Sequence, residues 1–231
     1  MISTLQKPLD SGFGQKTEPY EIIKELDLSD KNIIITGGYS GIGLETTKAL
    51  KKANAKVIVP AKRLNRAKSI LDGIVPQNDI YELNLADLNS VMSFVELFSQ
   101  LNIKLDILIN NAGIMACPET RVGNNWESQF GINHIGHQLL LKQLMNKFRA
   151  DGQSRFISLS SSAHSISKIL WDDIHFEDSS YNKWTAYGQS KTAASLLAIE
   201  FDRKMKDKGI RSFAVHEENQ LIPSIDLILV G

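Results

Sequence analysis

A run of β-branched residues at 32–36, NIIIT, ends in the glycine-rich stretch TGGYSGIG at 36–43, which passes without a break into LETTKALKKA. Few local patterns restrict a fold as much. A strand that stops on a sharp turn and hands over to a helix opens a βαβ unit, and βαβ units build parallel sheets. Gly37, Gly41 and Gly43 stand where the backbone must turn and lie bare, because a Cβ would obstruct anything bound against it. The helix that follows offers unpaired N–H groups and the positive end of its dipole, which suits a pyrophosphate. Gly43 lets that helix lie close on the sheet. The setting predicts a nucleotide site in which Gly37, Ser40, Gly41, Ile42 and Gly43 meet the ligand. A second glycine-rich stretch, SGFG at 11–14, follows no strand and opens no helix, and is read as a plain turn.

The rest of the chain keeps the same beat. Short strand-like runs at 56–60, 106–110, 155–159 and 211–215, with a weaker one at 79–85, alternate with helix-length segments at 42–54, 64–72, 87–101, 125–149 and 183–207. The expectation is one α/β domain over 27–215, a Rossmann-type doubly wound parallel sheet. An arm and lead-in helix, 1–26, precede it, and a diverged tail, 216–231, follows. The 231 residues suffice for one large core, and 42% hydrophobic with 23% charged residues is an ordinary soluble composition. Equal numbers of basic and acidic residues, 26 each, argue against nucleic-acid binding and membrane-surface attachment. The single cysteine, Cys117, excludes a disulfide scaffold and fits a reducing compartment. The first twenty residues hold no apolar run that suits a signal peptide or membrane anchor, so the expected location is the cytoplasm.

After the second run comes AKRLNRAK. Sites for NAD place an acidic side chain here for the ribose 2′-hydroxyl, whereas a basic one accommodates the 2′-phosphate of NADP. No Asp or Glu occurs between Val59 and Asp72, while Lys62 and Arg63 do. Arginine grips a phosphate with a rigid fork of donors, so Arg63 predicts NADP(H), with NAD(H) second. The competing reading is a solvated basic helix start.

Two stretches, YEIIK at 20–24 and YGQSK at 187–191, place a lysine four residues after a tyrosine. On a helix such residues share a face. An ammonium beside a phenol favours the phenolate and lowers the pKa from about 10, which suits acid–base chemistry. Because the pattern occurs twice, spacing alone does not separate chemistry from ordinary helix surface.

Five motifs decide it: TGGYSGIG, NNAG at 110–113, Asn133 within FGINHIGH, SLSSSAH at 158–164, and YGQSK. In these, and in their order, the chain resembles the short-chain dehydrogenase/reductase family from about Asp27 to Val215. SGIGLETTKAL and INHIGH look most like its retinol-dehydrogenase-like and bacterial oxidoreductase branch. The resemblance implies hydride transfer between a nicotinamide and a hydroxyl or carbonyl group of a small apolar substrate. It implies Tyr187 as proton donor and acceptor, Lys191 as the residue that tunes Tyr187 and holds the nicotinamide ribose, and Ser161 as donor to the substrate oxygen. Asn133 matches the asparagine that links Lys191 to solvent through a water. Of three consecutive serines, Ser160 and Ser161 are aligned with the family's pair and the second is taken. Asn111, Ala112 and Gly113 join the cofactor contacts, and Asn84 and Leu85 stand on the adenine side, where the family more often has Asp. Tyr20, ahead of the first strand, is read as half of a solvated helical pair.

Other candidates carry less. His134 and His137 are three apart, as metal ligands can be, but no carboxylate or cysteine nearby completes a set, so a surface or packing role is read and no metal is expected. Cys117 has no evident activating partner. WDDIHFED at 171–178 suits either a border of the substrate pocket or a solvated loop. Where the family continues with Pro-Gly, His216 is followed by Glu217 and Glu218, and SIDLILV suits a replacement edge strand or an exposed apolar tail. That departure leaves the family's C-terminal part incomplete and sustains an alternative, a cofactor-binding protein with weak or no catalysis. The expected partners are a small alcohol or carbonyl compound, with a homo-oligomer allowed.

Overall fold

The computed structural model describes residues 11–14 and 17–215; the tail at 216–231 lies outside the described residues. A short helix, α1 (Pro19–Ile23), leads into β1 (Asn32–Ile35), α2 (Gly41–Lys52), β2 (Lys56–Ala61), α3 (Leu64–Ile70), β3 (Ile80–Glu82), α4 (Leu88–Gln100) and β4 (Ile107–Asn110). A small antiparallel hairpin follows, β5 (Arg121–Val122) with β6 (Trp126–Glu127), and then α5 (Ser128–Phe130), a π-helical turn Gly131–Gly136 and α6 (His137–Leu144). The chain finishes with β7 (Ser154–Leu159), the long α7 (Lys183–Met205) and β8 (Ile210–Val215).

Six strands form one sheet in the order β3-β2-β1-β4-β7-β8, every pair parallel. Parallel strands need crossovers, and those crossovers cover both faces with helices, so the strands read as continuous apolar runs. β1 shows the consequence. Ile34 turns to the face shared with Phe94, Phe98, Leu140 and Phe156, whereas Ile33 and Ile35 turn to the face shared with Val57, Val59 and Leu71. All three isoleucines have no solvent-exposed surface. The strand order reverses between β1 and β4, where the first half of the sheet runs outward through β2 and β3 and the second through β7 and β8. A crevice opens beyond the carboxyl ends of strands at such a switch point.

The helix expected over 125–149 is shorter and interrupted. Its first residues belong to β6, reached through a turn in which Gly123 (φ 53°) and Asn125 (φ 65°) are left-handed. Helix begins where the buried carboxylate of Glu127 accepts the amide N–H groups of Gln129 at 2.9 Å and Phe130 at 2.8 Å. Two-residue strands leave no periodicity to read, which is why the hairpin is invisible in the sequence. The weak run at 79–85 contracts to β3.

On the α4–α6–α7 face, Phe156 is fully buried and meets the edge of Phe201 at 5.3 Å between ring centroids. Phe156→Ala should cost about 3–5 kcal/mol in urea-induced unfolding. Ile199→Ala, on the exposed side of α7, should stay within about 0.5 kcal/mol. Equal losses at the two positions would contradict this placement of the core.

Candidate active site

The ends of β1, β2, β4 and β7 and the start of α7 enclose a cleft of about 650 Å3. Its floor is the turn after β1. A Cβ on Gly43 would lie 2.5 Å from both the Gly37 carbonyl oxygen and Asn111 Nδ2, and one on Gly37 would lie 3.1 Å from Ala112. Both glycines therefore serve close backbone approach as well as a bare surface. Gly41 is left-handed at φ 53°, with open space where a side chain would stand. Thr36 ties this turn to the end of β4. Its hydroxyl accepts the amide N–H groups of Asn111 and Ala112 at 3.0 Å each, and the Asn111 side chain donates to the Thr36 carbonyl at 2.8 Å.

The residues singled out in the sequence converge. Gly37, Ser40, Ile42 and Gly43 line one wall, and Asn111, Ala112 and Gly113 line another. Arg63 and its neighbour Lys62 border the cleft after β2, and Asn84 and Leu85 do so after β3. Ser161, Tyr187 and Lys191 close the far side. Gly41 and Asn133 are the exceptions, Asn133 lying buried behind the lining. Its Oδ1 accepts the Ile114 amide at 2.9 Å, and its Nδ2 donates to the Ile114 carbonyl at 2.9 Å and to Ser190 Oγ at 3.0 Å. The side chain thus clamps the loop that follows β4.

Tyr187 and Lys191 share one face of α7, with Lys191 Nζ 5.6 Å from the Tyr187 ring centroid. Asn182 caps that helix, its Oδ1 accepting the amides of Trp184 and Thr185 at 3.0 Å each. Lys191 Nζ donates to the Leu159 carbonyl at 2.9 Å. The two central serines behave differently. Ser160 Oγ lies against Ser195 Oγ at 2.7 Å and donates to the Lys191 carbonyl at 3.0 Å. Ser161 Oγ accepts the Ala163 amide at 3.2 Å, which leaves its O–H proton for another acceptor. Gly188 lets the segment draw in, since a Cβ there would stand 2.8 Å from the Ala163 carbonyl.

The remaining candidates sit elsewhere. None of residues 171–178 lines the cleft. That loop is fastened to the hairpin by Arg121, whose guanidinium donates to the carbonyls of His175 and Phe176. Tyr20 is half-exposed and takes the Lys52 ammonium over its ring at 4.9 Å. Burial raises the Cys117 thiol pKa, the opposite of activation. Several contributors were not read from the sequence. Tyr39, inside the glycine motif, lines the cleft, as do Ile114 and Met115. A Cβ on Gly136 would fall 2.2 Å from the Leu85 carbonyl oxygen, so the π turn seats directly on the turn after β3. That glycine was in plain sight, but without its partner strand it carries no signal.

These features belong to a nucleotide-binding α/β protein, and comparison with known proteins is specific about which. Residues 31–173 match the family described as short chain dehydrogenase, and the chain belongs to that family. It is 38% identical over 213 residues to a chloroplastic short-chain dehydrogenase, TIC 32 B, of Brassica napus, covering 87% of this chain and 66% of that one. It is 35% identical over 191 residues to human retinol dehydrogenase 13, covering 80% and 58%. The chain thus spans about three fifths to two thirds of the length of such relatives. A crystal structure of an uncharacterized protein from Mycobacterium paratuberculosis superposes with a TM-score of 0.75 at 33% identity, over 83% of this chain and 69% of that one.

Two imidazoles behind the site have depressed pKa values. Burial lowers both His134 and His137 to about 4. An unfolded histidine titrates near pH 6.5, so above that value neither state binds the proton. Between pH 6.5 and 4 the unfolded chain takes up protons the folded one refuses, and stability is lost as pH falls. His175, lowered mainly by burial, acts in the same sense. The unfolding free energy should drop on the order of 2–4 kcal/mol from pH 7.5 to pH 5 in urea titrations. A flat profile over that interval would contradict the buried, neutral rings.

Proposed function

We propose that the chain is an NADP(H)-dependent oxidoreductase that interconverts a small, apolar alcohol with its aldehyde or ketone. The observation that carries the reading is a single cleft joining the glycine turn and Arg63 to Tyr187 and Lys191. The residues suit a dinucleotide. Bare turn backbone at Gly37 and Gly41 and the start of α2 would receive the pyrophosphate. Asn84 and Leu85 would face the adenine and Lys191 the nicotinamide ribose. Lys62 and Arg63 would meet the 2′-phosphate. When bound, the reduced nicotinamide supplies a hydride to the carbonyl carbon.

Negative charge then grows on the carbonyl oxygen and calls for a proton. Tyr187 gives it, and the neighbouring ammonium of Lys191 favours the phenolate left behind. Ser161, whose oxygen accepts the Ala163 amide, would donate its O–H to the same oxygen and stabilise the charge as it develops. Asn133 commits both Nδ2 protons to Ile114 and Ser190, so any water linking it to Lys191 would meet an Asn133 oxygen. Ile114, Met115 and Leu159 add apolar wall to the cleft, in keeping with an apolar substrate. A second reading, cofactor binding with weak catalysis, draws on Glu217 and Glu218 standing where the family has Pro-Gly.

Fluorescence titration should show NADPH binding more than tenfold tighter than NADH, and Arg63→Asp should narrow or reverse the gap, since a charge-assisted phosphate contact contributes about 1.5–3 kcal/mol. Equal affinities would sink the NADP assignment. In a screen of aldehydes and ketones followed by NADPH consumption, Tyr187→Phe should lower turnover on the order of a hundredfold or more with NADPH affinity nearly unchanged. Full activity in that variant would remove Tyr187 from the mechanism. NADPH binding with no turnover of any carbonyl would favour the second reading.

A further inference from the structure

His137 is 3% exposed and lies outside the cleft lining, yet it touches the site from behind at two points. Its Nε2 lies 2.9 Å from Thr36 Oγ1, and its Nδ1 lies 3.1 Å from the backbone carbonyl oxygen of Asn133. A carbonyl only accepts, so the ring proton sits on Nδ1 and Nε2 is left as an acceptor. The Thr36 hydroxyl must then donate to Nε2; its alternative acceptor, the Ile109 carbonyl, is 3.5 Å away. With that proton committed, the Thr36 oxygen presents lone pairs to the amides of Asn111 and Ala112, as found at 3.0 Å. The hydrogen-bond directions are consistent along the whole chain of groups.

The backbone hydrogen-bond pattern departs from a regular α-helix at His137. In an α-helix the Asn133 carbonyl accepts the amide of residue 137. Here that amide bonds the carbonyl of His134, three residues back, and the ring of His137 meets the Asn133 carbonyl. His137 thus meets two carbonyls of this turn, that of His134 with its backbone amide and that of Asn133 with its ring.

We propose that His137, as the neutral Nδ1–H tautomer, is a positioning residue that fixes the Asn133 carbonyl in register with the cofactor turn through Thr36. The inference rests on the reading of the cleft as an oxidoreductase site for its catalytic consequence, but its structural content does not depend on that reading. Burial is the main cause of the low affinity of the ring for a second proton; the bond to the Asn133 carbonyl opposes it, and Lys191 and His134 add to it. A charged ring would also place a donor against the Thr36 hydroxyl and break the sequence of bonds.

Nitrogen-15 NMR of the full chain is the direct test. One histidine, identified by its loss in His137→Leu, should carry its proton on Nδ1 and remain neutral from pH 5 to pH 9. A proton on Nε2, or titration near pH 6.5, overturns the proposal. Kinetics supply the second arm. His137→Leu should lower kcat about tenfold to a hundredfold, as expected for misplacement by a fraction of an ångström to an ångström, with a smaller change in NADPH affinity. His137→Asn, which keeps an N–H donor near the Nδ1 position, should recover part of the loss. Unchanged kcat in His137→Leu, or equal loss in both variants, overturns it. If the unmodified protein shows no turnover, the oxidoreductase assignment fails while the NMR result still decides the tautomer.

Discussion

The close approach between the end of β1 and the end of β4 is the constraint on which the site depends. Gly37 and Gly43 leave room for it, and Thr36 and Asn111 hold it with hydrogen bonds of 2.8–3.0 Å. Because these strands flank the reversal in strand order, fixing their ends shapes the crevice itself. Widening the approach by one methyl group, as at Gly43, would push the α2 turn off the β4 loop. Everything that lines the opposite wall is then displaced from the glycine turn.

A second requirement is a fixed set of donors in a place largely withdrawn from water. Lys191 is 7% exposed, and its ammonium is held by the Leu159 carbonyl beside the Tyr187 ring. Ser160 bonds the Lys191 carbonyl, Gly188 allows the serine segment to close on α7, and Asn133 grips the loop after β4. Such prior ordering is what makes hydrogen-bond donors effective toward developing charge, since little rearrangement remains when charge appears. Behind them, His134 and His137 are both held neutral by burial at neutral pH.

Much of this was legible in the sequence because it rests on local patterns. The strand runs at 32–36, 56–60 and 155–159 and the glycine turn are written in consecutive residues, and each reappears within a residue or two as β1, β2, β7 and the start of α2. The candidate residues, apart from Gly41 and Asn133, also line one cleft, because each stands at the end of a strand or the start of a helix. Long-range partnerships were not legible. Gly136 matters only through Leu85, Gly188 through Ala163, and His137 through Thr36, a residue one hundred and one positions away. For His137 the sequence suggested a surface or packing role rather than a metal ligand, without a partner, since spacing shows neighbours on a helix and not what the helix packs against. The π turn was hidden for the same reason, as its residues look like ordinary helix.

The most direct test of the central claim is isotope transfer. The protein is incubated with NADPH deuterated at C4 of the nicotinamide and with a panel of apolar aldehydes and ketones, and the alcohols are analysed by mass spectrometry. Deuterium is expected on the carbinol carbon from one of the two C4 positions, with transfer lowered on the order of a hundredfold or more in Tyr187→Phe. Tight NADPH binding with no deuterium delivered to any carbonyl would contradict the claim that this cleft performs hydride transfer.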